Sequence, residues 1–180
     1  MHFYIKWLAW HAADMNSTGI HIRTATEHDK PAVLQLAPRL AEGLAAWRDR
    51  QAAILAARQW LTDSFATAAR HDGTVLVATD KTGIAGVITI STQRHFTGEI
   101  DGYIGELAVA SRAIRRGIGR ALITAAETWA QDCGLRHLTL HTGVANIPAR
   151  HFYSALGFQE EEIRLTRPLP GPSQNRSTRP

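Results

Sequence analysis

The chain has 180 residues, 44% of them hydrophobic and 20% charged, so it can bury one sizeable core and is expected to form one domain. Its formal net charge of +4 is compatible with nucleic acid, a membrane surface or an anionic small ligand, and does not choose among them. The single Cys133 excludes an internal disulfide and a metal site built from several cysteines. It favours a reducing compartment, with the cytoplasm as the default.

The two ends of the chain differ in composition from the middle. The N-terminal residues are aromatic and apolar, but they lack the cleavage site of a signal peptide, and no stretch approaches the roughly 20 apolar residues of a membrane span. Clear periodicity begins only after Met15. Residues 1–19 are therefore interpreted as an N-terminal extension, residues 20–168 as the domain, and the proline-rich residues 169–180 as a disordered tail.

The first half of the domain predicts a strand, two helices and a pair of strands. Residues 20–26, IHIRTAT, alternate as a strand does, and an amphipathic helix is expected from there to about Leu40. A second helix is predicted over about 49–70. Residues 74–79 and 83–91 are β-branched apolar runs, and the intervening Asp and Gly predict a hairpin turn.

A third extended segment and a long helix follow. Residues 100–110, IDGYIGELAVA, are expected to form a strand of the same sheet. Helical periodicity returns at Gly117 and places Cys133 on the apolar stripe, in the core. Gly134 then supplies a C-terminal stop.

The remaining elements are short. Residues 135–142, LRHLTLHT, alternate as a strand, and Asn146 and Gly157 are suited to begin and end a short helix. Residues 160–169, EEEIRLTRPL, are predicted to form a last strand. The order β, α, α, β, β, β, α, β, α, β indicates an α/β domain on a mixed, mainly antiparallel sheet.

A glycine loop, ASRAIRRGIGRALI, joins the third extended segment to the long helix. Its glycines allow the backbone to approach an anion, and the free N–H groups at the helix start point at such a ligand. A Rossmann fingerprint is disfavoured because Leu122 stands where a third glycine or alanine is needed, and the Gly-Lys-Ser/Thr of a Walker loop is lacking. The loop alone leaves open a plain helix start with solvated arginines. Charged contacts to a phosphate are expected from three residues: Arg115, Arg116 and Arg120.

Two segments, IGELAVASRAIRRGIGRALI and LTLHTGVANIPARHFYSALGF, together resemble the GCN5-related N-acetyltransferase (GNAT) superfamily. The resemblance spans roughly residues 20–168 and is strongest over 103–158. It implies that superfamily's α/β fold, a mixed, mainly antiparallel central sheet flanked by about four helices. It also implies acetyl-CoA as the cosubstrate, with no metal.

The resemblance implies specific cofactor contacts. In the superfamily an Arg/Gln-x-x-Gly-x-Gly/Ala loop binds the pyrophosphate of acetyl-CoA through its backbone amides, and here Ile114 stands where Arg or Gln is usual. We therefore expect the loss of one side-chain contact. The pattern N-x-x-A-x-x-F-Y-x-x-x-G-F is matched in full from Asn146 to Phe158, and Asn146 is implied to touch the cofactor as well as cap its helix. The implied loop contacts are Arg115, Arg116, Gly117, Ile118, Gly119 and Arg120.

The implied reaction is direct attack of an amine on the thioester in a ternary complex. The resemblance places the oxyanion and the pantetheine arm along Leu107, Ala108 and Val109, where a strand that leaves its neighbour has free backbone groups. Tyr153 is implied both as a cofactor contact and as the general acid, and a tyrosine does stay protonated at neutral pH. Helical spacing alone would make Tyr153 part of a buried stripe.

The attacking amine must be neutral, and Glu106, beside the acetyl site, is the candidate base. Alternatively Glu106 attracts a cationic substrate or pairs with an arginine, and the sequence does not separate these roles. Asp101 and Tyr103 are weaker candidates. The resemblance implies that the helix over 49–70 and the loop before it wall the acceptor site. Glu42, Trp47 and Asp49 are candidate acceptor contacts there, and a structural lid is the alternative role for the tryptophan.

Other function classes are weighed against this one. The nine histidines include no good ligand set, since His137 and His141 would lie about 13 Å apart along a strand. The sequence therefore predicts an N-acetyltransferase acting on a primary amine of a small molecule or a protein, with a non-catalytic acetyl-CoA sensor as the alternative. Nucleic acid and membrane are not expected as partners, and a homodimer is left open.

Overall fold

The computed structural model describes residues 19–169, and residues 1–18 and 170–180 lie outside it. The predicted N-terminal extension and tail therefore fall almost wholly outside the described residues. Five strands form one sheet in chain order. They are β1 (His21–Thr24), β2 (Gly73–Asp80), β3 (Gly83–Arg94), β4 (Ile100–Val109) and β5 (Leu138–Leu140). The first three pairings are antiparallel and β4 pairs with β5 in parallel, which confirms the mixed, mainly antiparallel sheet.

Five α-helices cover this sheet: α1 (Lys30–Leu34), α2 (Ala37–Leu40), α3 (Arg50–Ala69), α4 (Ile118–Asp132) and α5 (Ile147–Ser154). The single helix expected up to Leu40 is wrong, because the chain divides it into a 3-10 turn, α1 and α2. Pro38 contributes to the second break, since it has no N–H to donate to the carbonyl of Leu34. Among the described helices none is long and apolar enough to cross a membrane.

The two faces of the sheet are covered by different helices. α4 packs on one face, where Ile88, Leu122 and Ile123 are fully buried, and α1 to α3 pack on the other, around Leu61 and Val87. Adjacent residues of one strand thus serve opposite layers, as the pleat requires.

The C-terminal end of α4 corrects one core assignment. Cys133 is exposed rather than buried, because α4 ends at Asp132 and Cys133 is already its C-cap. The predicted stop at Gly134 is confirmed by its left-handed backbone, with φ of +71°.

The predicted last strand is also wrong. Residues 160–169 have no strand structure, and Ile163, Leu165 and Leu169 are 82%, 89% and 79% exposed. Alternation defines two faces of a segment, but a strand also needs a partner edge and a surface to pack on. Within the described part of the chain this segment has neither.

Candidate active site

The ladder between β3 and β4 is irregular in its middle. Ile88 lies opposite Leu107, whereas Ile90 lies opposite Ile104, so β4 uses one more residue than β3 across this interval. Such a bulge bends the strand and re-aims a side chain. The bulge falls where the sequence reads Gly-Glu, and the re-aimed side chain is Glu106.

Glu106 is held in place by two hydroxyl groups. Its backbone N–H donates to Thr89 Oγ1 at 2.9 Å, and the same hydroxyl donates to Glu106 Oε2. Ser64 of α3 donates its Oγ to the same Oε2 at 3.1 Å. Gly105 is needed beside this network, because a Cβ there would lie 2.9 Å from Thr89 Oγ1. Glu106 Oε1 has no protein donor within residues 19–169 and is thereby available for a ligand.

The surroundings of Glu106 make its carboxyl more basic. The side chain is only 7% exposed, and burial raises its pKa above the ordinary value. The hydrogen bonds from Thr89 and Ser64 offset part of this effect, and nearby Asp63 raises the pKa further. The partners of Glu106 are hydroxyls and not an arginine, which removes one of the alternatives open at the sequence level.

A cleft of about 210 Å³ lies beside Glu106, between α3 and the strands β3 and β4. The described residues that line it include two carboxylates and several hydroxyls, but no lysine, arginine or histidine. Prominent among them are Trp60, Asp63, Ser64, Thr89, Tyr103 and Glu106.

The acceptor contacts expected from the loop before α3 are not found in this cleft. Glu42 instead pairs with Arg39. Asp49 caps α3, its Oδ1 accepting from two N–H groups of the first turn at 2.7 and 3.0 Å. Trp47 is 59% exposed and does not line the cleft.

The resemblance implies that the helix over 49–70 walls the acceptor site, but the sequence alone does not identify which residues of α3 line the cleft. Trp60, Asp63, Ser64 and Thr67 are spaced by three or four residues, so they share the helix face that meets β3 and β4. The available signal was this polar run within a helix whose other inward residues are apolar. This run identifies one face of α3, but it does not show which strands that face packs against.

The two weaker base candidates have different positions. Tyr103 lines the cleft, its hydroxyl lies 3.2 Å from His141 Nδ1, and burial raises its pKa. It therefore stays protonated and suits a hydrogen-bonding role. Asp101 lies 3.2 Å from His137 Nδ1 and does not line the cleft.

The far edge of β4 is open beyond the bulge. β5 pairs with β4 only as far as Ile104. The N–H of Ala110 donates to Ala85 on β3 at 2.9 Å, so by alternation the backbone groups of Leu107 and Val109 face the open edge. Ala108, between them, faces β3. The strand thus offers the N–H and carbonyl of Leu107 and the N–H of Val109 to an extended ligand, whereas the Val109 carbonyl accepts from Arg39.

The two glycines of the loop after β4 have different structural reasons. Gly117 is the N-cap of α4 with φ of +78°, a left-handed conformation that favours glycine. Arg115 is also left-handed, with φ of +63°, so the backbone curls tightly before the helix. A Cβ on Gly119 would lie 3.1 Å from the ring of Phe152, so this glycine lets α5 approach α4.

Two arginines near this loop are tied to the β2–β3 turn. Arg116 and Arg112 donate to Asp80 Oδ2 at 2.7 and 2.9 Å. The Thr82 N–H and hydroxyl donate to the other carboxylate oxygen. Hydrogen bonds from Thr82, then from the two arginines, hold the pKa of Asp80 well below its usual range. The carboxylate therefore fastens the loop to the sheet.

The remaining loop residues differ in what they can offer a ligand. Arg115 and Arg120 are exposed, and no ion pair is formed by either within the described part of the chain. Ile118 is buried, so only its backbone can meet a ligand, whereas Ile114 is 45% exposed. No atom lies within 4 Å of the place where a Cβ on Gly117 would stand, so the approach to the loop is open there.

Tyr153 lies in an aromatic cluster on α5. Its ring centroid is 5.3 Å from that of Phe152 and 5.6 Å from that of Phe158. Burial raises the pKa of its hydroxyl to about 12. The phenol therefore holds its proton throughout the neutral range, and the side chain also contributes to packing, as helical spacing suggests.

A short segment from Arg39, near the end of α2, to Gly43 connects β4 to α5. Arg39 donates its Nε to the carbonyl of Val109 at 3.0 Å. Gly43, with φ of +72°, packs on Asn146 so closely that a Cβ would lie 2.3 Å from the Cβ of Asn146. Asn146 caps α5 as predicted, accepting from its first turn, and donates its Nδ2 to the carbonyl of Glu42 at 3.4 Å. One segment thus contacts both structures that flank the open edge.

A bulged strand with an open edge, leading into a glycine loop at a helix start, characterises the acetyltransferase class that the sequence resembles. Residues 39–158 match the acetyltransferase (GNAT) family, and the chain belongs to it. The predicted family and fold are thereby confirmed. In residues 19–169 no group of three or more His, Cys, Asp or Glu side chains is arranged to hold a metal ion.

Similar proteins agree with this assignment. The chain is 28% identical over 114 residues to GCN5-related N-acetyltransferase 4, chloroplastic, from Arabidopsis thaliana, a match of 57% of this chain and 38% of that protein. It is 39% identical over 46 residues to aminoglycoside N(6')-acetyltransferase type 1 from Stenotrophomonas maltophilia, 26% of this chain and 30% of the relative. The chain thus spans about a third of these curated relatives' lengths.

A solved structure with the same fold is the GCN5-related N-acetyltransferase from Ralstonia eutropha. Its TM-score against this chain is 0.66 at 19% identity, and the match covers 85% of this chain and all of that one. The similarity therefore extends over nearly the whole described domain.

Proposed function

We propose that the protein transfers the acetyl group of acetyl-CoA to a primary amine by direct attack in a ternary complex, and that residues 20–168 carry this activity. The observation that carries the proposal is the position of Glu106. It lies at the bulge where the open edge of β4 begins, and it lines a cleft on the opposite side of that strand. An acceptor in the cleft and a cofactor along the edge would therefore meet at one point.

The cofactor side is supported by the fit of the loop and the edge. Acetyl-CoA, when bound, supplies an activated acetyl thioester. The open approach at Gly117 and the free N–H groups of the first turn of α4 suit a pyrophosphate, and Arg115 and Arg120 add positive charge. Backbone groups of Leu107 and Val109 would hold the extended arm. We assign further cofactor contacts to Arg116, Ile118, Gly119, Asn146 and Tyr153, but not to Ala108, because its backbone groups face β3 and not the open edge.

Glu106 is proposed to receive the proton of the acceptor ammonium at Oε1. Deprotonating a lysine-like amine at pH 7 costs about 4 to 5 kcal/mol, because its ordinary pKa is about 10.4, whereas an α-amino group costs about 1 kcal/mol. A carboxyl whose pKa is raised by burial takes up a proton more readily than an exposed one. The hydroxyls of Thr89 and Ser64 keep it oriented while it does so.

Tyr153 is proposed to give its hydroxyl proton to the departing thiolate. A thiol has an ordinary pKa of about 8.5, so its thiolate is a fair leaving group that accepts a proton readily at neutral pH. The aromatic cluster around Tyr153 keeps the phenol protonated and fixed in position. The cytoplasm stays the predicted compartment.

The proposal is tested by binding and by turnover. Acetyl-CoA should raise the melting temperature in proportion to the logarithm of its concentration above its Kd, as a ligand of the native state does. Thiol release should then depend on an added primary amine. Binding without amine-dependent thiol release across a broad amine panel would support the sensor alternative, and absence of both would reject the family activity for this chain.

Tyr153→Phe sharpens this test, because it removes one hydroxyl and keeps the ring. We expect kcat to fall by about a hundredfold while the acetyl-CoA Kd changes little, since general acids contribute about 10² to 10⁴. The matched control is Tyr103→Phe, which also loses one hydroxyl but in the acceptor cleft, and should raise the acceptor KM instead. An unchanged kcat in Tyr153→Phe would leave that residue a packing role only.

A further inference from the structure

The cleft beside Glu106 has more negative charge than the reaction needs. One carboxylate is sufficient to receive one amine, yet Asp63 lines the same cleft. The hydrogen-bond partner of Asp63 is the neutral amide of Gln59, at 2.8 Å. Neither Asp63 nor Glu106 forms an ion pair within residues 19–169. The two carboxyls therefore face a cleft with no cation of the described protein to balance them.

A mostly buried carboxyl, with one oxygen unpaired within the described part of the chain, distinguishes this cleft from a purely acidic surface. Glu106 is more than nine-tenths buried, lines the cleft and has no protein donor at Oε1 among the described residues. Oε1 is not among the buried side-chain atoms of residues 19–169 that lack a partner, so it is accessible from the cleft, where a ligand or water can supply the donor. An ammonium group supplies both hydrogen-bond donors and the missing positive charge.

Trp60 adds a flat aromatic wall to the same cleft. It lies one turn before Asp63 and Ser64 on α3, and its side chain is 54% exposed although it is large and apolar. An exposed indole attracts both the carbon skeleton of a ligand and a cation over its face. Asp63 and Trp60 therefore make a second point of attachment for a positive group, next to the one at Glu106.

We propose that the acceptor is a compact diamine, with the amine to be acetylated at Glu106 and a second ammonium group held by Asp63 and Trp60. The inference rests on the proposed function, because it makes the cleft the acceptor site of that reaction. It disfavours amines with a nearby carboxylate or phosphate, such as amino acids and phosphorylated amino sugars. Two acidic side chains would repel such a group, and no described basic residue of the cleft would pair with it.

The test uses three acceptors of equal chain length: butane-1,4-diamine, butan-1-amine and 4-aminobutanoate. They carry the same reacting amine, and their far ends are positive, neutral and negative. At saturating acetyl-CoA, kcat/KM from thiol release should be about five- to tenfold higher for the diamine than for the monoamine, and lowest for the amino acid. The gain should shrink as ionic strength rises.

A second set of acceptors tests whether the two amines belong to an open chain or to a ring. The diaminocyclitol 2-deoxystreptamine is compared with cyclohexylamine in the same assay. A higher kcat/KM for the diamine than for the monoamine, in the open-chain pair or in the ring pair, supports the inference. The pair with the larger ratio shows whether the acceptor is an open-chain or a ring diamine. Equal rates within both pairs overturn it, as does turnover of 4-aminobutanoate at the rate of the diamine.

Asp63→Asn assigns the effect to a residue, because the amide oxygen still accepts from Gln59 while the charge is lost. The ratio of diamine to monoamine kcat/KM should fall towards one. Asp132→Asn removes an exposed charge at the end of α4, away from the cleft, and should keep the ratio. A ratio that survives in Asp63→Asn contradicts the inference.

The outcomes separate the two proposals. If monoamines are acetylated with no gain from a second amine, the diamine inference fails and the proposed function stands. If other amines are acetylated but butane-1,4-diamine and 2-deoxystreptamine neither react nor inhibit, the inference fails as well. If acetyl-CoA does not bind and no amine reacts, the proposed function itself is rejected.

Discussion

The cleft beside Glu106 and the glycine loop that follows β4 are built in opposite ways. The cleft is held by side chains distant in sequence, because Ser64 and Thr89 reach Glu106 across 42 and 17 residues. The loop is one continuous stretch whose shape is set by its own backbone, and Asp80 anchors it from outside through two arginines. Removing one side-chain group on the cleft side should therefore lower the reaction rate. Removing one on the loop side should weaken the binding of acetyl-CoA.

The largest effect is expected at Glu106. Glu106→Gln keeps an oxygen for the Thr89 and Ser64 hydroxyls but removes the base, so kcat/KM should fall by about 10² to 10³. Steady-state thiol release measures this, with the acetyl-CoA Kd as the control for an intact cofactor side. A loss of less than about fivefold would assign Glu106 to substrate attraction only.

The pH dependence of the same variant tests the burial of that carboxyl. The folded pKa of Glu106 is raised above its unfolded value, so between the two values the folded state binds more protons. Stability from this group is fully present below the ordinary pKa and is lost as pH rises through the raised one. Glu106→Gln should therefore be more stable than the parent at neutral pH, and the difference in unfolding free energy should vanish in acid.

A smaller effect is expected at Asp80. Asp80→Asn keeps an acceptor for Thr82 but loses the charge that holds Arg112 and Arg116, so the loop should be less well positioned. The KM for acetyl-CoA should rise about tenfold while the acceptor KM stays constant, which bisubstrate kinetics resolve. Asp72→Asn, an exposed acid outside the loop, is the control. If the acetyl-CoA KM equals that of the parent protein, Asp80 stabilises only the β2–β3 turn and does not position the loop.

The smallest effects are expected on the free energy of unfolding, from substitutions at the two loop glycines, Gly117 and Gly119. Gly117→Ala meets no atom but must adopt a left-handed backbone, which costs about 1 to 2 kcal/mol. Gly119→Ala gains about 1 kcal/mol of helix propensity and loses a similar amount by pressing on the movable ring of Phe152. Denaturant unfolding should therefore show a clear loss for Gly117→Ala and nearly none for Gly119→Ala. The reverse order would mean that packing, and not backbone conformation, governs the loop.

The sequence predicts the loop side well because its determinants are local. Gly117 and Gly157 have the left-handed backbone that their positions suggest, and Asn146 caps α5. These features depend on neighbours within a few residues. The cleft could not be predicted in the same way, because the contact of Ser64 with Glu106 exists only once α3 has packed on the sheet.

The wrong predictions have a related cause. Cys133 was placed in the core by extending a period one residue beyond the end of α4. Ile163 and Leu165 alternate as in a strand, but alternation does not show whether a partner edge is within reach. Glu42 and Asp49 are acidic residues near the acceptor side, and their charges are used within the protein by Arg39 and the start of α3.

The contact between Gly43 and Asn146 fixes where α5 begins relative to α2. Arg39 fixes one end of this short segment to β4, and Gly43 presses its other end against the start of α5 without space for a side chain. The segment acts as a spacer of fixed length, so any residue larger than glycine at position 43 would push α5 away from β4. A single missing Cβ thus determines how closely the start of α5 approaches the segment that Arg39 ties to β4.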